Sequence, residues 1–299
     1  MSDNTLRYKG ELGMIRTLHR VLILFILVSP SFGLDLEVSS RIDNLYWNTG
    51  RQDTVSGQTF QGNDWFWNLQ GSLTQDLADG LQFKGGLEID PILRWRAYSQ
   101  LGFNLESLSL KFAPFLGVFN SSQKWFNPGM EAQVEYTWPG LLFLRGGFLT
   151  TFAPVSKTGD YYLSSQSVAV GFLVENGIIT VNIEDKSATF RVSDTQTTVD
   201  NSTKYWVDTE MYLKNFPLRW AILTGFQITN RSYVTTSEDS TPLYSALLGA
   251  RFSWDFGSGT TLFLQGESAV FNYGWDLTKM ALPASVPVLD ATVGVRYHW

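Results

Sequence analysis

Acid–base chemistry would fall to the acidic pairs Glu131/Glu135 and Asp208/Glu210, the carboxylates placed close enough in sequence to cooperate. Two carboxyl groups hydrolyse a glycoside when they flank the scissile bond, roughly 5 to 9.5 Å apart. Both pairs instead stand at even spacing along strand-like stretches, which puts each pair on one face rather than on two sides of a substrate. Lumen or surface polarity is therefore the favoured reading. Of two histidines, His19 lies in an N-terminal segment that reads as removed, and His298 is one residue from the C-terminus. Neither stands where a histidine-based acid–base centre would be built. Cysteine is absent, which excludes disulfides, thiolate nucleophiles, zinc fingers, iron–sulfur centres and a lipid anchor on cysteine. No phosphate-binding glycine loop and no metal-spaced histidine cluster is present, so the expectation is a non-enzyme without cofactor or metal.

If the charged residues do not do chemistry, the question becomes what positions them. The 299 residues carry a formal net charge of −6 and an acidic pI of about 5.0, which argues against nucleic acid as a partner. Charged residues make up 17% of the chain, below the roughly 25% usual in soluble domains, while 11 Trp, 12 Tyr and 21 Phe demand an apolar home.

Arg16, His19 and Arg20 precede the apolar run Val21–Val28, and Ser29-Pro30-Ser31-Phe32-Gly33 follows it. A basic start, a short apolar core and small residues at Ser31 and Gly33 predict a secretory signal cut between Gly33 and Leu34. The run falls short of the ~20 residues a spanning helix needs. Met14, just before the basic residues, is an alternative start. Residues 1–33 are thus set apart as extension and signal peptide, and 34–299 as the folded domain.

From Leu34 onward the dominant period is two. Leu289, Ala291, Val293, Val295, Tyr297 and Trp299 alternate with Asp290, Thr292, Gly294, Arg296 and His298. Leu108 to Val118, Met130 to Trp138 and Tyr244 to Phe256 repeat the pattern, each about as long as the 9 to 11 residues of a tilted bilayer-crossing strand. Turn signals stand at Asp79-Gly80, Asn104 to Ser107, Pro139-Gly140, Asn176-Gly177, Asn215 to Pro217 and Gly257-Ser258-Gly259. Between them run longer polar connections: Thr49 to Asn63, Asn120 to Gly129, Ala153 to Asp160, Asp185 to Ser202, Asn230 to Pro242 and Gly274 to Pro287, with a short one at Asp90-Pro91. Six tight turns alternating with seven longer loops predict an all-β, up-and-down antiparallel transmembrane β-barrel of about 14 strands, with 12 or 16 as alternatives.

Aromatic residues gather at the strand ends. Tyr46, Trp47, Trp65, Trp67, Trp125, Phe126, Tyr161, Tyr205, Tyr273 and Trp275 fall toward the long loops; Phe103, Trp138, Phe216, Trp254, Phe256, Tyr297 and Trp299 fall toward the tight turns. Two belts suit two membrane interfaces. With this pattern in place, Val293-Gly294-Val295-Arg296-Tyr297-His298-Trp299 resembles the C-terminal assembly signal of outer-membrane β-barrels, a porin-like class. That resemblance implies outer-membrane lipid and the barrel assembly machinery as partners, with Tyr297 and Trp299 read by the machinery.

Turning the apolar face to lipid turns the other face inward, because a charge facing lipid costs roughly 2 to 4 kcal/mol at the midplane. The pore-lining candidates are Lys84, Arg94, Arg96, Lys111, Glu131, Glu135, Arg145, Asp208, Glu210, Arg219 and Arg251, accompanied by Glu37, Arg41, Glu88, Glu184, Glu267 and Arg296. Adjacent strands are expected to bring Arg94, Arg96 and Lys111 near Glu131, Glu135 and Arg145, a transverse charge arrangement. The functional expectation is a channel passing small hydrophilic solutes. The alternative is a closed, ion-paired barrel that binds ligands through its loops, chiefly Thr49 to Asn63 and Asp185 to Ser202. Leu110→Arg is expected to hinder insertion more than Ser109→Arg.

Overall fold

The computed structural model describes residues 33–44, 53–55, 58–60, 65–89, 93–119, 125–152, 161–193, 196–214, 216–233, 243–273, 280–281 and 288–299. Fourteen long antiparallel strands follow one another: β1 (Leu34–Asn44), β2 (Trp65–Ala78), β3 (Leu81–Ile89), β4 (Leu93–Leu105), β5 (Leu108–Phe119), β6 (Trp125–Trp138) and β7 (Leu142–Thr151). The second half comprises β8 (Tyr161–Val174), β9 (Gly177–Ser193), β10 (Gln196–Tyr212), β11 (Leu218–Tyr233), β12 (Leu243–Asp255), β13 (Thr260–Tyr273) and β14 (Val288–His298). Each pairs with its sequence neighbour, and β14 pairs with β1, so the sheet closes and leaves no edge. The fold is an all-β, 14-stranded, antiparallel up-and-down closed barrel. Short pairings sit outside it: Asp53–Val55 with Gln58–Phe60, and Met280–Ala281 against Asn272 and Tyr273 of β13.

Six tight turns lie at one end. Gly80 and Gly140 take φ of 72° and 73° there, in the left-handed region where a Cβ is penalised. The signal segment, the aromatics Tyr46, Trp47 and Trp275, and the side chains of Arg94, Trp65, Trp125, Phe126, Tyr161 and Tyr273 lie outside the described residues.

Strand alternation resolves into two faces. Val38, Phe112, Val134, Phe172, Val181, Val207, Ile222, Leu264 and Val293 all point outward and are exposed, an apolar band that requires a nonpolar surrounding. A girdle of rings closes the band at the turn end: Tyr136 packs edge-on against Trp138 with centroids 4.4 Å apart, Phe216 on Trp254 at 5.6 Å, and Tyr297 on Trp299 at 4.5 Å. At the loop end, Trp67 and Tyr205 point outward.

Asp185 to Ser202, expected as a long loop, is instead the upper part of a hairpin. β9 and β10 are 17 residues each, and their register runs unbroken from Asp185↔Thr203 to Arg191↔Thr197, with one shift before Ser193↔Gln196. The reason is physical: above the apolar band both strand faces meet water, so alternation vanishes from the sequence while Thr- and Val-rich pairing persists. The outward residues show the crossing point, since Ile183 is followed by Asp185, which accepts a hydrogen bond from Thr203 Oγ1 at 2.9 Å. Likewise β11 runs on to Tyr233 and β6 already begins at Trp125, inside spans expected as loops. The rim is uneven, tall at β9 to β11 and low at β3, which has nine residues.

The closing seam has its own code. Glu37 faces Arg296 and Asp35 faces His298 as direct cross-strand partners. Arg296 donates from Nε and a terminal nitrogen to Glu37 Oε2 at 3.0 and 2.6 Å, His298 Nδ1 meets Asp35, and Arg41 pairs with Asp290 at 2.8 Å. On the inward face β1 thus presents acids near the turn end and a base above; β14 presents the reverse. Exposed pairs contribute about 0.2 to 1 kcal/mol each, so the seam's value lies in register. Glu37→Arg or Arg296→Glu alone should lower the temperature at which the folded electrophoretic band converts to the unfolded one. The double exchange should restore it, since attraction returns with the charges swapped.

Candidate functional site

The inward face is the site, and its residues sit in tiers above the tight turns. In the lower tier, Lys84 and Lys111 are each the fourth residue of their strand, Glu135 faces Arg145 directly, and Asp208 and Glu210 approach the end of β10. Arg145 Nε donates to Glu135 Oε2 at 2.7 Å. A terminal nitrogen of Arg251 lies 2.8 Å from Glu210 Oε2 and 3.2 Å from Asp208 Oδ2, reaching across β11 to do so. Ala221 on β11, 3% exposed and the direct register partner of both Glu210 and Arg251, leaves room for that reach.

In the upper tier, Arg96 meets Glu88 at 2.6 Å, and Asn68 Nδ2 donates to Glu88 Oε1 at 2.7 Å. Arg96 and Glu88 touch without the alignment of a hydrogen bond, so Arg96 Nε and Glu88 Oε2 have no hydrogen-bond partner among the described residues. Lys204 on β10 donates to Glu267 on β13 at 2.7 Å, a chord over two intervening strands. Glu131 is exposed, and Arg219 is exposed at the turn-end lip.

Aromatic rings complete these pairs. The Arg96 guanidinium carbon lies 5.4 Å from the Phe115 ring centre and 5.8 Å from that of Tyr98; Arg145 lies 4.9 Å from Phe143, and Lys204 4.7 Å from Trp206. A cation over a ring face gains electrostatically, more so where water is reduced. The rings themselves lie against glycines. Tyr98 faces Gly86, Phe115 faces Gly129, Phe143 faces Gly171, and Phe263 faces Gly294, each as a direct cross-strand pair. A Cβ placed on any of these glycines would lie 2.1 to 2.4 Å from the nearest atom of the facing ring, a clash.

The expected neighbours are met in part. Glu135 and Arg145 do pair, but Arg96 takes Glu88 rather than Glu131 or Glu135, because Glu88↔Arg96 is a direct register pair one strand away. Lys111 faces Gln133, with Glu131 on the diagonal. Lys204 and Asp290 were not singled out from the sequence, nor was the Asp35–His298 pair. The alternation that put Asp208 and Glu210 on one face also includes Lys204, so that signal was there; a partner three strands away was not readable. Among the described residues no group of three or more His, Asp or Glu could hold a metal ion.

The barrel is similar in fold to an outer membrane channel from Pseudomonas putida F1, at a TM-score of 0.51 and 11% identity over 91% of this chain and 97% of that one. It is also similar to a bacterial polysaccharide outer membrane secretin, at a TM-score of 0.50 and 11% identity over 89% of this chain and 97% of that one. No family model matches the chain, and no curated protein matches it. At these identities the likeness is one of fold: a closed antiparallel barrel of the outer-membrane kind.

Proposed function

We propose that the chain is an outer-membrane, porin-like channel that passes small hydrophilic solutes by passive diffusion. The observation that carries this reading is the pairing of an outward apolar band with an inward face whose charges remain reachable by water: Arg145 and Arg251 side chains are each 41% accessible although both point into the barrel. A barrel of 14 strands is wider than the filled eight-stranded kind. On this reading residues 1–33 direct export and are removed before Leu34, where β1 starts; the tight turns face the periplasm, and the assembly machinery reads Tyr297 and Trp299. Catalysis has no part in it.

The closed, ion-paired alternative draws on the same lumen, since Lys204–Glu267 and Arg251–Asp208/Glu210 bridge strands that are not neighbours. Single-channel conductance of the refolded full-length protein decides between the two. Discrete open levels support the channel; none under any salt or voltage supports the closed barrel. In a conducting protein, Arg96→Gln should leave Glu88 uncompensated and shift the reversal potential toward cations. The shift should shrink as the Debye length falls from about 10 Å at 0.1 M salt to about 3 Å at 1 M. Unchanged selectivity would remove Arg96 from the conducting path.

A further inference from the structure

Of the inward-facing cations, most are already held by carboxylates: Arg41, Arg96, Arg145, Lys204, Arg251 and Arg296. Lys84 and Lys111 are different. Among the described residues neither has a carboxylate within ion-pair distance, and each is the fourth residue of a strand that flanks β4. The register fills in their surroundings. Lys84 faces Gln100 on β4; Lys111 faces Gly102 on β4 and Gln133 on β6; Gly102 faces Gln82 on β3. Gly102, between the two lysines, contributes no side chain. Amide side chains border it at Gln82, Gln100 and Gln133. Of the nearby acids, Glu135 is neutralised by Arg145. Asp76, diagonal to Lys84 and accepting only from the neutral Gln82 amide at 3.0 Å, and Glu131, diagonal to Lys111, are the acids left to compete with an incoming anion.

Two strand spacings of about 4.8 Å and a two-residue offset along β4 put the Lys84 and Lys111 backbones roughly 12 Å apart, a span that two extended lysine side chains can close around one small anion.

We infer that Lys84 and Lys111, with the Gln100 and Gln133 amides, form a luminal binding subsite for small oxyanions, the carboxylate or phosphate groups of permeating solutes. The inference rests on the diffusion reading for its physiological use, but the site can be tested without conduction. Inorganic phosphate is the probe, offered to the refolded full-length barrel in detergent. Its ³¹P resonance should broaden with the native protein. Lys84→Gln combined with Lys111→Gln should reduce that broadening several-fold, whereas Lys84→Arg combined with Lys111→Arg should retain most of it. In planar bilayers, native conductance should level off as potassium phosphate is raised, and the glutamine variant should rise more nearly in proportion.

Absence of broadening with the native barrel, or equal broadening with the glutamine variant, overturns the subsite. Conductance with neither broadening nor saturation overturns it too, while leaving the channel standing. Broadening that depends on both lysines in a barrel that never conducts keeps the subsite and overturns diffusion instead.

Discussion

Truncation after Arg296 should leave the protein unable to form a closed barrel, recovered as aggregate or degraded rather than in the outer-membrane fraction. The three lost residues do more than end a strand. Tyr297 pairs with Leu36 on one side and Thr260 on the other, so it belongs to both junctions that complete the ring. The His298 amide donates to Gly259 O at 2.8 Å and the Trp299 amide to Leu34 O at 3.1 Å, tying the last strand to the β12–β13 turn and to the first residue of β1. The Asp35–His298 contact and the Tyr297–Trp299 ring pair go with them. An unclosed barrel exposes two strand edges, and in hydrocarbon each unmet backbone group costs several kcal/mol. Fractionation and heat-modifiable mobility read the result. Normal insertion of the truncated chain would remove the assembly role from Tyr297 and Trp299.

Val181→Arg should impair folding into lipid far more than Thr180→Arg, although the positions are adjacent. Val181 is 45% exposed on the outward face, between Ile179 and Ile183 and opposite Val207, near the middle of the apolar band. There an arginine costs about 2 to 4 kcal/mol, a drop in the folding equilibrium of roughly 30- to 800-fold. Thr180 alternates with it and faces the interior, where water can solvate the new charge. Leu110, expected to show the same contrast against Ser109, does face outward, but it is the third residue after the Glu106–Ser107 turn. So close to the interface the penalty falls to about 0 to 1 kcal/mol. Equal tolerance at Val181 and Thr180, measured by folding into vesicles, would mean that the faces of β9 are assigned the wrong way round.

Alternation and turn chemistry made the barrel legible. Each of the six tight turns lies at or within a residue of the position that Gly, Pro, Asn and Asp marked, and the outward faces of β5, β6, β12 and β14 are the ones their periodicity assigned. Legibility failed where the physical reason for alternation fails. Above Ile183 no bilayer enforces an apolar face, so Asp185 to Ser202 looked like a loop while continuing as sheet. Lumen partners were readable only when strands were neighbours in the chain and the register happened to be direct, as for Glu135 and Arg145. The Lys204–Glu267 chord depends on curvature that brings β10 and β13 together over two intervening strands, and no local spacing encodes curvature.

The four glycines that face rings carry a consequence for the aperture. Because Gly86, Gly129, Gly171 and Gly294 offer no volume, Tyr98, Phe115, Phe143 and Phe263 can lie down along the wall like folded shutters. Any larger residue at those positions would stand a shutter up into the lumen, and at Gly86, Gly129 or Gly171 would also lift the ring from its arginine. The calibre of the lumen is therefore adjustable from outside its apparent lining, one methyl group at a time, through residues that lie beneath the rings.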